Sequence, residues 1–252
     1  MRDALAFLTV LPAGRRTGPP GRAAVAAFPL VGLLVGALWW GAGRIGTGLW
    51  GPAVGAALAL AADLLVTGGL HLDAVADEAD GLACRLPPEE AVAVMREGTI
   101  GAIGASAAAV VVLVRFALLS AVLAGAPGGH AGALIAVPAA GRFAMVWTMA
   151  RTRGRRDHRA HRVGGDVPPS LASEIREATR GLPLAVSGAV ALVSASVLAG
   201  PRGVAGIACA CLVGSANAGF AVRRFGDVTG DVVGAGGLLG ETAMLAAVTA
   251  HL

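Results

Sequence analysis

The sequence predicts an all-α protein, a polytopic integral membrane helical bundle with six or seven transmembrane helices, and three observations carry that expectation. Of 252 residues, 56% are hydrophobic and only 14% are charged. Together with the 38 glycines the apolar share comes to roughly 70%, against about 45–50% in an ordinary soluble protein. A soluble domain of this size leaves about a quarter to a third of its unfolded surface in water, and this chain has too few polar side chains to cover it. The same composition excludes disorder. Second, stretches with no charge or one charge recur near the ~20-residue length that a helix needs to cross hydrocarbon. Third, the arginines fall on one side of the threading that those stretches define. Residues 1–252 read as a single membrane domain.

In chain order, residues 23–43 contain no charge and form the first span. Residues 52–70 follow with Asp63, residues 104–125 with Arg115, and residues 130–150 with Arg142. Residues 181–200 and 203–222 are again free of charge, separated by a Gly200-Pro201-Arg202-Gly203 turn. The last segment, 232–252, contains Glu241; whether it crosses decides between six and seven. Residues 1–12 hold about eight apolar residues and no small-residue cleavage pattern, so a removable signal peptide is not expected.

All 20 basic residues are arginine, and with the N-terminus inside, 16 of them lie in inner segments. Arg44 and Arg202 are outside, and Arg115 and Arg142 lie within spans. This puts the polar segments 72–100, 151–180 and 223–231 on the cytoplasmic face. Six arginines between Arg151 and Arg162 read as an anchor for anionic headgroups. The net charge of +4 is not a nucleic-acid signal, because 4% aromatic content and no tyrosine leave no basic, aromatic-interleaved stripe. Cys84, Cys209 and Cys211 lack metal spacing with any histidine and read as small packing residues.

The scarce acids are where chemistry is expected. In the run from Thr67 to Gly81, helical spacing puts Asp73, Asp77 and Asp80 within an arc of roughly 60°, with Glu78 the one acid off that face. Three carboxylates so close repel one another unless a cation sits between them. A hard divalent cation such as Mg²⁺ takes oxygen ligands and shares them with substrate phosphates. Asp227 and Asp231, at i and i+4 on the same side of the membrane, make a second acidic pair suited to a second-site ion. Arg142, about two and a half turns inside a span, is costly there without a functional or ion-pair reason, and its planar fork suits a phosphate.

These segments resemble the adenosylcobinamide-GDP ribazoletransferase, or cobalamin 5′-phosphate synthase, family. The resemblance rests on residues 7–12, 28–32 and 67–81, on Met95-Arg96-Glu97 with Gly101 and Gly104, on Gly141-Arg142, and on Gly226 with Thr229-Gly230-Asp231. It implies an Mg²⁺-dependent enzyme of the inner (plasma) membrane, its site facing the cytoplasm. Such an enzyme joins adenosylcobinamide-GDP to α-ribazole or its 5′-phosphate and releases GMP, late in cobalamin biosynthesis. Asp73, Asp77 and Asp80 become the principal metal ligands and Asp227 and Asp231 the second-site ligands. Asp73 and Asp77, with His71 as a proton-transfer or orienting group, become catalytic; Arg96, Arg142, Thr229 and Gly230 become substrate-binding. A homo-oligomer, or a complex with other nucleotide-loop enzymes, is the expected assembly. The chain departs from the family pattern at Glu97-Gly98-Thr99, which lacks a second arginine, at Leu238 in place of an acid, and at Ala74 in place of glycine.

Two other readings use the same features. A CDP-alcohol phosphotransferase also displaces a nucleoside monophosphate at a membrane face, but its Asp-x2-Asp-Gly-x2-Ala-Arg pattern is not met: three residues separate Asp73 from Asp77 and no Ala-Arg follows Gly81. A transporter would use Asp63, Arg115, Arg142 and Glu241 near the midplane, whereas most of the acids lie outside the spans.

Overall fold

The computed structural model describes residues 1–14, 18–125, 132–152 and 171–250, and among them every regular element is helical. Two short helices, α1 (Arg2–Leu8) and α2 (Arg22–Ala26), precede α3 (Phe28–Trp50) and α4 (Pro52–Thr67). Then come α5 (Leu70–Ala83), α6 (Pro88–Val94), α7 (Ala102–Ala124) and α8 (Ala133–Arg151). The chain closes with α9 (Leu171–Ala178), α10 (Leu182–Phe225) and α11 (Gly230–Thr249). Proline near the first position of α3, α4, α6 and α10 suits helix starts, where its missing N–H is no loss.

Among the described residues five helices, α3, α7, α8, α10 and α11, are long and apolar enough to cross a membrane, and the bent pair α4–α5 makes up to six. The 44-residue α10 is two limbs. Gly200 leaves helical geometry at φ 59°, ψ −146°, and Pro201 restarts the helix. A Cβ on Gly203 would overlap the Ala195 carbonyl; residues eight apart on a straight helix stand about 12 Å from each other, so the limbs fold back on each other. That break lies at the turn expected from the sequence. The segment 232–252 is α11 over most of its length, and it too is long and apolar enough to cross.

One span needs correcting. Residues 52–70 do not make one straight crossing: α4 has 16 residues, about 24 Å of helix, and then turns by 87° into α5. Gly68 and Gly69, at φ 63° and 73°, make the corner in a backbone region that disfavours a side chain. The acidic run is therefore a helix lodged against α7 and α11, where Leu72, Val75, Ala107, Val111, Ala235 and Leu238 form a small core.

Small residues set the closest approaches, as expected where lipid supplies no hydrophobic drive between helices. A Cβ on Gly32 or Gly36 of α3 would run into the α8 backbone at Ala139 or Ile135. Two larger cores lie along the bundle axis. One gathers around Trp39, Leu119, Leu134 and Met244, the other around Phe28, Met145, Met149, Ile175 and Phe225. Several arginines gather beside that second core: Arg22 donates to the Arg180 carbonyl, Arg224 to the carbonyls of Cys84 and Leu86, and Arg176 meets Asp227. The chain thus draws three segments, distant in sequence, to one arginine-rich end. The arginines at 153–162 lie outside the described residues; Arg151 lies over the Trp147 ring at 4.5 Å.

Candidate functional site

At the arginine-rich end a pocket of about 260 Å³ opens between α1, α6, α8, α9 and the start of α11. Arg96, Arg176, Asp227, Thr229, Gly230 and Asp231 supply its polar lining. The sequence brings them there by two local devices. Gly226 closes α10 in the left-handed conformation at φ 81°. Thr229 then caps α11, its Oγ1 accepting a hydrogen bond from the Val232 amide at 3.3 Å. The positive end of the α11 dipole thereby faces the pocket, a ready place for a phosphate.

Asp231 in the first turn of α11 and Asp77 of α5 are within electrostatic reach of each other, and both feel Asp73. Asp73 is exposed and Asp77 half-buried. Arg96, also exposed, is the cation that Asp231 faces. Asp73, Asp77 and Arg96 thus lie within electrostatic range of Asp231, the four coming from three separate segments. Asp80 sits beside Asp77 but has other partners: its two oxygens accept the Gly101 and Gly104 amides at 2.7 and 2.8 Å. It holds the start of α7. Asp227 precedes α11 in a turn, so it and Asp231 are not successive positions of one helix. It accepts from its neighbour Val228 and pairs with Arg176 at 3.5 Å.

The remaining expected residues lie as follows. Thr229 and Gly230 line the pocket, the threonine hydroxyl already committed to the cap. His71 is buried, 4% exposed, and lines a separate small cavity with Asp63 and Arg115. Arg142 is 1% exposed and ion-paired with Glu241. Glu241 also takes Arg115 at 3.0 Å, and Arg115 reaches Asp63 at 3.5 Å and lies over the Trp39 ring. The four intramembrane charges therefore neutralise one another two against two, which accounts for them without a transport path.

Sequence reasoning missed several participants. Glu78, the acid off the aspartate face, is 3% exposed and accepts from Asn217 at 2.9 Å. The same amide donates to the Val232 carbonyl at 3.1 Å, so one side chain of α10 ties the aspartate helix to α11. An acid placed on the apolar side of an amphipathic helix was the available signal. Arg176 and the apolar pocket wall carried none, the first being one arginine in an arginine-rich stretch.

The donor set suits a hard divalent cation: anionic, all oxygen and partly exposed. Among the described residues no three His, Cys, Asp or Glu side chains already converge on one point. Mg²⁺ is commonly held by one or two carboxylates together with substrate phosphates and water, so a partial set fits.

The cobalamin-5-phosphate synthase family matches residues 1–249. An adenosylcobinamide-GDP ribazoletransferase of Rhizobium etli (strain ATCC 51251 / DSM 11541 / JCM 21823 / NBRC 15573 / CFN 42) is 33% identical, over 99% of this chain and 95% of its own. One of Roseiflexus sp. (strain RS-1) is 30% identical over 98% of this chain and 88% of its own. One of Brevibacillus brevis (strain 47 / JCM 6285 / NBRC 100599) is 38% identical over a shorter stretch, 55% of this chain and 56% of its own. No solved structure matches the chain.

Proposed function

The chain belongs to the cobalamin-5-phosphate synthase family, and from that premise we propose that it joins adenosylcobinamide-GDP to α-ribazole or α-ribazole 5′-phosphate, with release of GMP, at the cytoplasmic face of the inner membrane. The observation that carries the reading is that Asp231 and Arg96 line the pocket beside the α11 N-terminus, with Asp73 and Asp77 of α5 within electrostatic range of Asp231. The one-sided arginine distribution supports the orientation.

The reaction forms one phosphorus–oxygen bond and breaks another. A ribose hydroxyl oxygen attacks the phosphorus that carries the cobinamide, and GMP leaves with the bridging oxygen and its electron pair. Arg96, Arg176 and the Gly230 end of α11 bind and orient the diphosphate by charge and amide donors. Asp77, half-buried among other carboxylates, takes the hydroxyl proton. Asp73 and Asp231 would hold Mg²⁺, which supplies neutralisation of the diphosphate and of the departing GMP when bound. Catalysis of this kind is mostly positioning and electrostatics.

The full-length protein in liposomes, given adenosylcobinamide-GDP and either acceptor, is expected to release GMP only with both substrates and Mg²⁺. A chelator should stop release and added Mg²⁺ restore it, and Asp73→Asn should lower the rate about 100-fold or more. GMP release from adenosylcobinamide-GDP that is independent of either acceptor, or turnover of CDP-diacylglycerol instead, would overturn the reading.

A further inference from the structure

The pocket lining has two characters. Arg96, Arg176, Asp227 and Asp231 give it charge, whereas Met145 and Met149 of α8, Ile175 of α9, Phe225 of α10 and Val233 of α11 give it an apolar wall. All five belong to the apolar core at the arginine-rich end. The hydroxyl of Thr152, also in the lining, is turned back on the carbonyls of Thr148 and Met149. Resting on the activity proposed above, we infer that this apolar wall holds the heterocyclic base of the acceptor and selects a fused bicyclic arene with few hydrogen-bonding atoms.

Three parts of the two substrates compete for the space. The corrin macrocycle is too large: about 260 Å³ lies just below the roughly 300–1,000 Å³ of sites for small ligands. Guanine carries donors and acceptors along its edge; against the thioethers and aliphatic carbons they lack partners, since Arg176 and Asp227 hold each other and the Thr229 hydroxyl holds the helix cap, and that burial is costly. A benzimidazole-type base is flat, nearly apolar and of matching size. Methionine sulfur packs well on an aromatic edge and adapts to substituents, and Phe225 offers a ring. A base lodged there directs its ribose toward Asp231 and Arg96, where the attacking oxygen is needed. An aminopurine in the same place leaves its ring nitrogens and amino group unpaired, so the wall discriminates by what it does not offer.

The test is steady-state GMP release by the full-length protein with adenosylcobinamide-GDP and two acceptors, α-ribazole and the adenine α-riboside. Wild type is expected to show the lower KM for α-ribazole. Met149→Asn and Ile175→Asn should each raise that KM about tenfold, narrow the preference between acceptors, and leave the KM for the corrinoid nucleotide in place. A rise in the corrinoid-nucleotide KM with the acceptor KM unmoved would overturn the inference, since the wall would then hold the other substrate. Equilibrium dialysis of α-ribazole against wild type gives a readout free of turnover and of mutant folding. Binding competed by 5,6-dimethylbenzimidazole and not by guanine supports the assignment, and the reverse order overturns it. If that dialysis result holds while no acceptor yields GMP, the base site stands and the activity reading falls.

Discussion

Asp80 shows how one residue type in one short run takes different work. Its oxygens receive the first amides of α7, and Gly101 and Gly104 let it come that near: a Cβ on Gly104 would overlap both the Asp80 carboxylate and the Ala76 carbonyl. Gly104→Ala must push α5 away from α7, at about 1–3 kcal/mol. Asp80→Asn keeps one acceptor but turns its NH2 on the other backbone N–H, and should also cost about 1–3 kcal/mol. Unfolding midpoints in mixed micelles measure both; an Ala variant as stable as wild type would refute the close α5–α7 contact. Periodicity alone put Asp73, Asp77 and Asp80 on one face, and the face is real. It could not tell the aspartate that meets backbone amides from the two that look toward Asp231, because those amides lie 21 and 24 residues away in sequence.

Between elements, a buried ion pair joins α8 to α11 through Arg142 and Glu241, with Arg115 of α7 and Asp63 of α4 completing the group. Removing one member strands a charge in the bundle, so Glu241→Gln should cost about 3–5 kcal/mol. Replacing both Arg142 and Glu241 by leucine leaves the Arg115–Asp63 pair balanced, and it should recover much of that loss. Comparing the two by denaturant titration decides the matter; a double variant no better than Glu241→Gln would sink the pairing as the source of the cost. Here the sequence was informative in part. One charge in each of four apolar segments marked those residues as special, but matching them needs the helix neighbours, which composition does not contain. The same gap explains the corner at Gly68–Gly69. Hydropathy runs straight through it, and only two successive glycines hint that the helix turns.

At the scale of the molecule, alternating spans and one-sided arginines were enough to foresee the bundle and its arginine-rich end, since both follow from solvent and charge alone. The pocket wall was not legible, because Met145, Met149, Ile175 and Phe225 look like any core residues until α8, α9 and α10 meet. The orientation is testable with single cysteines after Cys84, Cys209 and Cys211 are changed to serine. Thr99→Cys, exposed between α6 and α7, should react with an impermeant maleimide only in inside-out vesicles. Gly48→Cys, with open space around its Cβ, should react only in right-side-out ones; the opposite pattern would reverse the orientation. The intramembrane charge group has a further consequence for how the protein is made. Glu241 emerges from the ribosome 126 residues after Arg115 and 99 after Arg142, so both arginines enter the bilayer with only Asp63 ahead of them. The last helix is therefore the latch of assembly: a nascent chain ended before residue 241 carries an excess of buried positive charge, and quality control has a reason to destroy it.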